Sequence, residues 1–333
     1  MTELPISFFI SFAAIFGLIF GSFANVLIWR IPRSESIVKP GSHCTNCHHE
    51  LSWYENIPVV SYILLRARCK SCHQSISFRY PLVEIITAIV SVWGVIAWQG
   101  DFGRQISAVL LAPLLIALTY IDIDHMELPD ALVVAVGIVN IFGILFTGGK
   151  AMLPQFLSVA AVFLLLATIW RWLLHSTDAG SEPDKSDDLP EPTIKERWVW
   201  GGGALLLGVV ALLGGLYGSM EISDWNALWG FFTGGGALLS LWGLFLFLQG
   251  REAVGLGDMK LMAVMGIVVG PGRILFAYII GAICGIFVWL FLRLRRNHQT
   301  SQPFPFGPSL IIGSWIAWLH GEWLLQTYTK YLL

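Results

Sequence analysis

Long uncharged runs dominate the sequence and are interrupted by short polar clusters. A helix needs roughly 20 apolar residues to cross a bilayer core, and a charge at its centre is expensive. Residues 6–28, 131–149, 151–170, 198–220, 225–250 and 274–292 meet that pattern clearly. Four further runs are weaker: 82–98 admits Glu84, 105–121 stops at Asp122, 261–272 is short, and 304–320 opens with Phe-Pro-Phe-Gly-Pro. The pattern therefore predicts about ten spans. The expected fold class is all-α, a polytopic integral membrane helix bundle.

Composition supports a membrane protein. Of the 333 residues, 56% are hydrophobic and only 13% charged, with a mean hydropathy of +0.69. Soluble domains carry about 25% charged residues, so both an ordinary soluble globule and a disordered chain are excluded. The net charge is -2 and the basic residues are gathered in a few loops, which argues against nucleic acid and for the lipid bilayer as partner. No Lys or Arg precedes Arg30 and Glu3 stands near the start, so the first span is expected to be retained rather than cleaved as a signal peptide. No repeat of solenoid period is visible.

Loop charge gives an expected orientation. The stretch after the first span holds Arg30, Arg33, Lys39, Arg66, Arg68, Lys70 and Arg79 against Glu35, Glu50 and Glu55, which places it on the cytoplasmic side. Alternation then puts 122–130, 175–197, 251–260 and 293–296 on that side too, with both termini outside. The polar stretch 176–196 is too charged and too poor in apolar residues to fold on its own.

The first loop carries four of the five cysteines, as Cys44-Thr-Asn-Cys47 and Cys69-Lys-Ser-Cys72. Two such pairs can deliver four thiolates to a tetrahedral zinc. Disulfides are the alternative, although thiols stay reduced in the cytosol. A dithiol redox pair accounts for one CxxC but not for its partner. His43, His48, His49 and His73 flank the pairs and could replace a cysteine as ligand, but read first as solvated loop residues. Cys284 lies inside a span and reads as a small apolar residue.

The second signal is acidic. Asp122 lies in Ile-Asp-Ile-Asp-His-Met-Glu-Leu-Pro-Asp, at the end of the third expected span, and Asp258 lies in Gly-Leu-Gly-Asp-Met-Lys, at the start of the eighth. The expected topology puts both at one membrane face. Two carboxylates that approach each other share a proton, so one activates water while the other protonates the substrate. Gly255 and Gly257 suit a backbone that bends, or admits another chain, just before the acid. Both acids also suit interfacial caps or an ion-coupling pair in a transporter, so the residues alone leave the choice open. Asp130 follows Pro129 and reads as a helix cap, and Asp124 points to a different side of its helix from Asp122.

Six ordered motifs resemble the bacterial type IV prepilin peptidases, a family of GxGD aspartic membrane proteases. They are 21–33 (Gly-Ser-Phe-Ala-Asn-Val-Leu-Ile-Trp-Arg-Ile-Pro-Arg), the two CxxC pairs, 76–84 (Ile-Ser-Phe-Arg-Tyr-Pro-Leu-Val-Glu), 121–130, 255–261 and 305–308 (Pro-Phe-Gly-Pro). The resemblance implies a bifunctional enzyme of the bacterial inner membrane, with its active site facing the cytoplasm. It would remove the leader of type IV prepilins or of the pseudopilins of type II secretion and then methylate the new N-terminal residue. The resemblance assigns catalysis to Asp122 and Asp258, zinc to Cys44, Cys47, Cys69 and Cys72, and the methyl donor role to S-adenosylmethionine. Its donor-binding residues are unknown; the cysteine loop is too short for a doubly wound nucleotide domain. Glu84, Lys260, Asn25 and Asn56 also lie in shared motifs, Glu84 and Lys260 standing out because they carry charge at membrane depth, with snorkelling an adequate account of Lys260.

The expected division is 1–28 first span, 29–80 cytoplasmic four-cysteine zinc loop associated with methyl transfer, 81–149 spans with the first Asp, 150–224 an inserted helical pair with an acidic loop, and 225–333 spans with the GxGD motif. The insertion departs from the family, whose members usually have about eight spans. An even number of added spans leaves Asp258 on the same face. Ala67 stands where a glycine is common in the family. The competing function is a polytopic transporter with acidic coupling residues and a zinc-stabilised loop.

Overall fold

The computed structural model describes residues 5–146, 201–221, 226–250, 254–295 and 305–332. Ten α-helices lie among them: α1 (Ile6–Arg30), α2 (Val60–Leu64), α3 (Arg79–Ala97), α4 (Phe102–His125), α5 (Asp130–Phe146), α6 (Gly203–Glu221), α7 (Asn226–Gln249), α8 (Leu256–Val269), α9 (Arg273–Arg295) and α10 (Gly307–Leu332). The described residues hold no strand, only the isolated bridges His43 to Glu50 and Arg68 to Ser75. The all-α reading holds.

Five described stretches are long and apolar enough to cross a membrane: Ile6–Arg33, Arg79–Ala97, Phe102–His125, Asn226–Gln249 and Arg273–Leu290, with Asp130–Ile144 a shorter apolar helix. Each begins within a few residues of an expected span. Three other expected spans meet helices α6, α8 and α10. The expected span 151–170 and the acidic stretch 176–196 lie outside the described residues.

The helices fall into two compact units, 1–147 with 276–333, and 148–275. In the first, α1 packs on α3 and α4, α3 on α4, α4 on α5, and α10 on α4 and α3. The α1 contact runs along Ala13, Gly17, Gly21 and Ala24, all buried. A Cβ at Gly17 would strike the Ala88 backbone, and one at Gly21 the Glu84 backbone. Meanwhile Phe8, Phe12, Ile15, Ile19 and Phe23 of the same helix are exposed. Small residues inside and large apolar residues outside is the arrangement expected where lipid supplies no drive to hide hydrocarbon and close backbone approach supplies the packing.

The second unit uses the same device. Between α7 and α8, Gly230 meets the Gly266 backbone and Gly234 the Met262 carbonyl; between α6 and α7, Gly208 meets the Ser240 backbone. Side chains at these positions would force the helices apart.

Candidate functional site

The cysteine loop is built from one turn used twice. In the first turn the Cys44 N–H donates to the His49 carbonyl, His48 N–H to Cys44 O, and Leu51 N–H to Ser42 O. In the second, Cys69 N–H donates to Gln74 O, His73 N–H to Cys69 O, and Ile76 N–H to Ala67 O. His48 and His73 occupy matching left-handed positions, with φ of 57° and 58°. Sequence reasoning missed this internal repeat, although Cys-x-x-Cys-His occurs twice in the loop.

The two turns interleave their sulfurs. Cys44 Sγ lies 3.9 Å from Cys72 Sγ, Cys47 Sγ lies 3.9 Å from Cys69 Sγ, and all four fall within 4.8 Å of one another. Four sulfurs at the Zn–S distance of about 2.3 Å around a tetrahedral metal stand roughly 3.8 Å apart. The cluster therefore suits zinc. The cysteines are free, with no pair near the S–S bond length of about 2 Å, and the histidines are not part of the cluster.

Crowding also spreads the thiol acidities. The Gln74 N–H, followed by the Asn46 amide, draws the Cys72 thiol down to about 6. At Cys47 the His49 N–H acts in the same direction, but desolvation and the three neighbouring thiols prevail and push it up to about 11. Four thiols this close cannot all ionise without a cation among them, which is the electrostatic demand a divalent metal meets.

Glu55 ties the turns together. Its Oε2 accepts from the Ser52 N–H at 2.9 Å, within a capping box, and lies 3.2 Å from His49 Nε2 of the first turn; its Oε1 is 3.9 Å from Lys70 Nζ of the second. The Ser52 N–H, His49 and Lys70 together hold this carboxyl below the usual glutamate range. Lys70 Nζ also donates to the Tyr54 hydroxyl at 2.6 Å.

Three buried polar side chains hold the loop and its flanking helices together. Arg30 at the end of α1 donates to the Ser36 and Gly41 carbonyls, both at 3.0 Å, and Asn25 Nδ2 donates to Tyr80 O at 3.1 Å. Glu84 Oε2 accepts from the Val59 N–H at 2.7 Å. Val59 is held at φ 59°, ψ -45°, with the Val60 N–H donating to the Pro58 carbonyl at 2.6 Å, a γ-turn of the strained hand. A β-branched residue takes up such a backbone only where its surroundings over-determine it. The sequence marked Arg30 as a loop charge within the 21–33 motif, whereas the structure makes it a tether. Asn56 is exposed in the short turn Trp53–Asn56.

Asp122 lies in the last turn of α4 and is 6% exposed, whereas Asp124 is exposed and pairs with Arg79 at 2.5 Å. The two acids therefore point to different sides, as expected. The Oδ2 of Asp122 accepts from the Gly307 N–H at 3.0 Å, at the start of α10. Asp130 opens α5 in its first turn.

In the other unit, Asp258 lies in the first turn of α8. Gly255 precedes that helix at φ -67°, ψ 138°, a conformation open to any residue, and Gly257 is helical. Neither glycine takes up a backbone reserved to glycine. Lys260 is half-buried two residues after Asp258. The structure brings the four cysteines together; Asp122 and Asp258 belong to different units, each described in its own surroundings.

Comparison with known proteins decides the family. Residues 15–99 match the bacterial peptidase A24 N-terminal domain. The prepilin leader peptidase/N-methyltransferase of Pseudomonas aeruginosa is 30% identical over 97% of this chain and 94% of its own length. That of Aeromonas hydrophila is 31% identical over 96% and 93%. This chain belongs to the prepilin leader peptidase/N-methyltransferase family. The Myxococcus xanthus member reaches 44% identity over a shorter stretch, 38% of this chain. No solved structure matches the chain. For this family's methyl donor, the described residues contain no βαβ unit, so a doubly wound donor-binding fold is absent among them.

Proposed function

We propose that this protein is an intramembrane aspartic endopeptidase that removes the leader from type IV prepilins or pseudopilins and methylates the new N-terminus. The observation that carries the reading is near full-length similarity to enzymes named for both activities. Asp122 and Asp258 are the proposed catalytic pair: one carboxylate takes a proton from water as the oxygen attacks the scissile carbonyl, and the other protonates the departing amine as the C–N bond breaks. The burial of Asp122 favours this role, since an intramembrane acid is costly unless it is used.

Cys44, Cys47, Cys69 and Cys72 would hold a structural zinc that locks the loop over 29–80, and S-adenosylmethionine would supply the methyl group. Methyl transfer to a neutral amine is direct displacement and calls for positioning more than for a carboxylate pair. Arg30 and Glu84 suit that need, because they hold the loop on α1 and α3, and Asn25 joins the two helices. The chain is placed in the bacterial inner membrane with about ten spans and its aspartates facing the cytoplasm, where the basic loops lie. The divisions 1–28, 29–80, 81–149, 150–224 and 225–333 are kept as its functional parts. No relative favours the transporter reading.

The test is incubation of the full-length protein in lipid nanodiscs with a peptide carrying a basic prepilin leader followed by Phe, with and without S-adenosylmethionine. Mass spectrometry should find the leader removed and, with the donor, one methyl group on the new N-terminus. An intact peptide after incubation with zinc-loaded protein would sink the reading.

A further inference from the structure

The Phe306-Gly307-Pro308 motif has no role in the function proposed so far. We propose that Gly307 is a positioning residue for leader cleavage: its N–H, with no Cβ beside it, fixes the Asp122 carboxylate so that one oxygen is always an acceptor and the other meets water and substrate. The proposal rests on the assignment of Asp122 to catalysis.

Each residue of the motif has a geometric reason. An α-helix opens with N–H groups that lack partners within the helix. At the start of α10, the Ser309 and Leu310 N–H groups both turn back to the Phe306 carbonyl, at 3.1 and 3.2 Å. Pro308 has no N–H, and its ring favours the helical φ. That leaves the N–H of Gly307, which goes to Asp122 Oδ2 at 3.0 Å. Phe306 in turn packs against α9, where a Cβ on Gly285 would meet its ring at 3.2 Å. The donor's position is thus set from both sides.

Gly307 itself must lack a side chain. A Cβ there would lie 2.7 Å from Asp122 Oδ2 and 3.2 Å from its Cγ, inside van der Waals contact, whereas the nearest Leu128 carbon would be at an ordinary 3.5 Å. Any other residue would displace the carboxylate. Asp122 also stands at the C-terminal end of α4, where carbonyl dipoles present partial negative charge; the α10 N-terminus offers the opposite sign. Because Oδ2 already accepts from a donor, Oδ1 is the oxygen favoured to carry a proton exchanged during turnover. This commits one oxygen to holding the group and the other to chemistry, in either protonation state.

The experiment uses the full chain in nanodiscs with the leader peptide. Gly307→Ala should lower kcat for cleavage about 10²-fold, the scale of a misplaced catalytic group, with KM within about twofold. Zinc content and methylation of a pre-cleaved peptide should be unchanged. Adding Leu128→Ala relieves packing but not the clash with the carboxylate, so the double variant should stay impaired; recovery there would assign the loss to packing and overturn the proposal. Where the alanine variant fails to fold, substituting glycolic acid for residue 307 by nonsense suppression removes the N–H without adding an atom, and kcat should still fall at least about 10-fold. Normal kcat in that ester, or in Gly307→Ala, would reject the role. Asp122→Asn, run alongside, separates the two claims: if it cleaves normally, the assignment of Asp122 is wrong, whereas a dead Asp122→Asn beside a fully active Gly307→Ala refutes this inference alone.

Discussion

The four cysteine sulfurs are gathered by two short turns that repeat the same hydrogen bonds, with the paired sulfurs no more than 28 residues apart. The Asp122 carboxylate instead meets a backbone N–H 185 residues away. The loop is thus organised by local geometry and by the metal its sulfurs suit, while the aspartate is organised by helix packing. The two should fail independently. Damage to the metal site should loosen one activity, and damage to the helix contact should stop the other.

The largest effect is expected from the acids. Asp122→Asn or Asp258→Asn should reduce leader cleavage by about 10²- to 10⁴-fold, since the amide is nearly isosteric but cannot take part in proton transfer. Zinc content and methylation of a peptide supplied with a free N-terminal Phe should persist. If that methylation disappeared in an intact, zinc-loaded variant, the two sites would have to overlap and the comparison would collapse.

Next comes the metal. Purified protein should contain one zinc per chain by elemental analysis, lost on changing any of Cys44, Cys47, Cys69 or Cys72 to Ser, because an open tetrahedron binds far less tightly. Cys284→Ser should retain it. Methylation should fall more than cleavage, and equal losses of both would tie the loop to the aspartates.

Glu84 lies where loop meets helix, so it sharpens the comparison. Glu84→Ala strands the Val59 N–H at a cost of about 1–3 kcal/mol, whereas Glu84→Gln keeps an acceptor. Hydrogen exchange of the loop amides should rise in the first variant and stay near the parent's in the second. Matching exchange in both variants would show that the strained turn needs no partner.

The smallest effects concern single positions. Arg66 and Ala67 are consecutive left-handed residues, with φ of 52° and 57°. Ala67→Gly should therefore raise the unfolding temperature of the loop, by removing a conformational cost of about 1–2 kcal/mol. Asp124→Asn removes a part-exposed ion pair worth roughly 0.2–1 kcal/mol and should leave cleavage near the parental rate. A loss as large as that of Asp122→Asn would mean that the wrong acid has been assigned.

Much of this was legible because the signals are short-range. Apolar runs foretold helices, CxxC spacing foretold the sulfur cluster, and helical period separated Asp122 from Asp124. The glycine common in the family at position 67 now has a physical reason in the left-handed backbone there. The Gly307 contact was hidden because nothing local announces a partner 185 residues distant. The turn at Val59 was hidden for the opposite reason: local preference speaks against a β-branched residue there, and the bond to the buried Glu84 carboxylate helps to outweigh it. Gly255 and Gly257 were read as suiting a bend or the close approach of another chain, and the backbone at both is one that any residue adopts.

The length of α8 has a consequence for the residues at its ends. Its 14 residues rise about 21 Å, whereas a hydrocarbon core is about 30 Å thick. Set across a bilayer, so short a rod falls short of the full thickness, and because Met259, Leu261–Ile267 and Val269 are buried by protein, lipid does not meet it along its sides. The glycine contacts with α7 run along its backbone, so the deficit falls at its ends. Asp258 occupies one of those ends. For the catalytic role proposed for Asp258, a place at the end of so short a helix would leave water only a short way to travel.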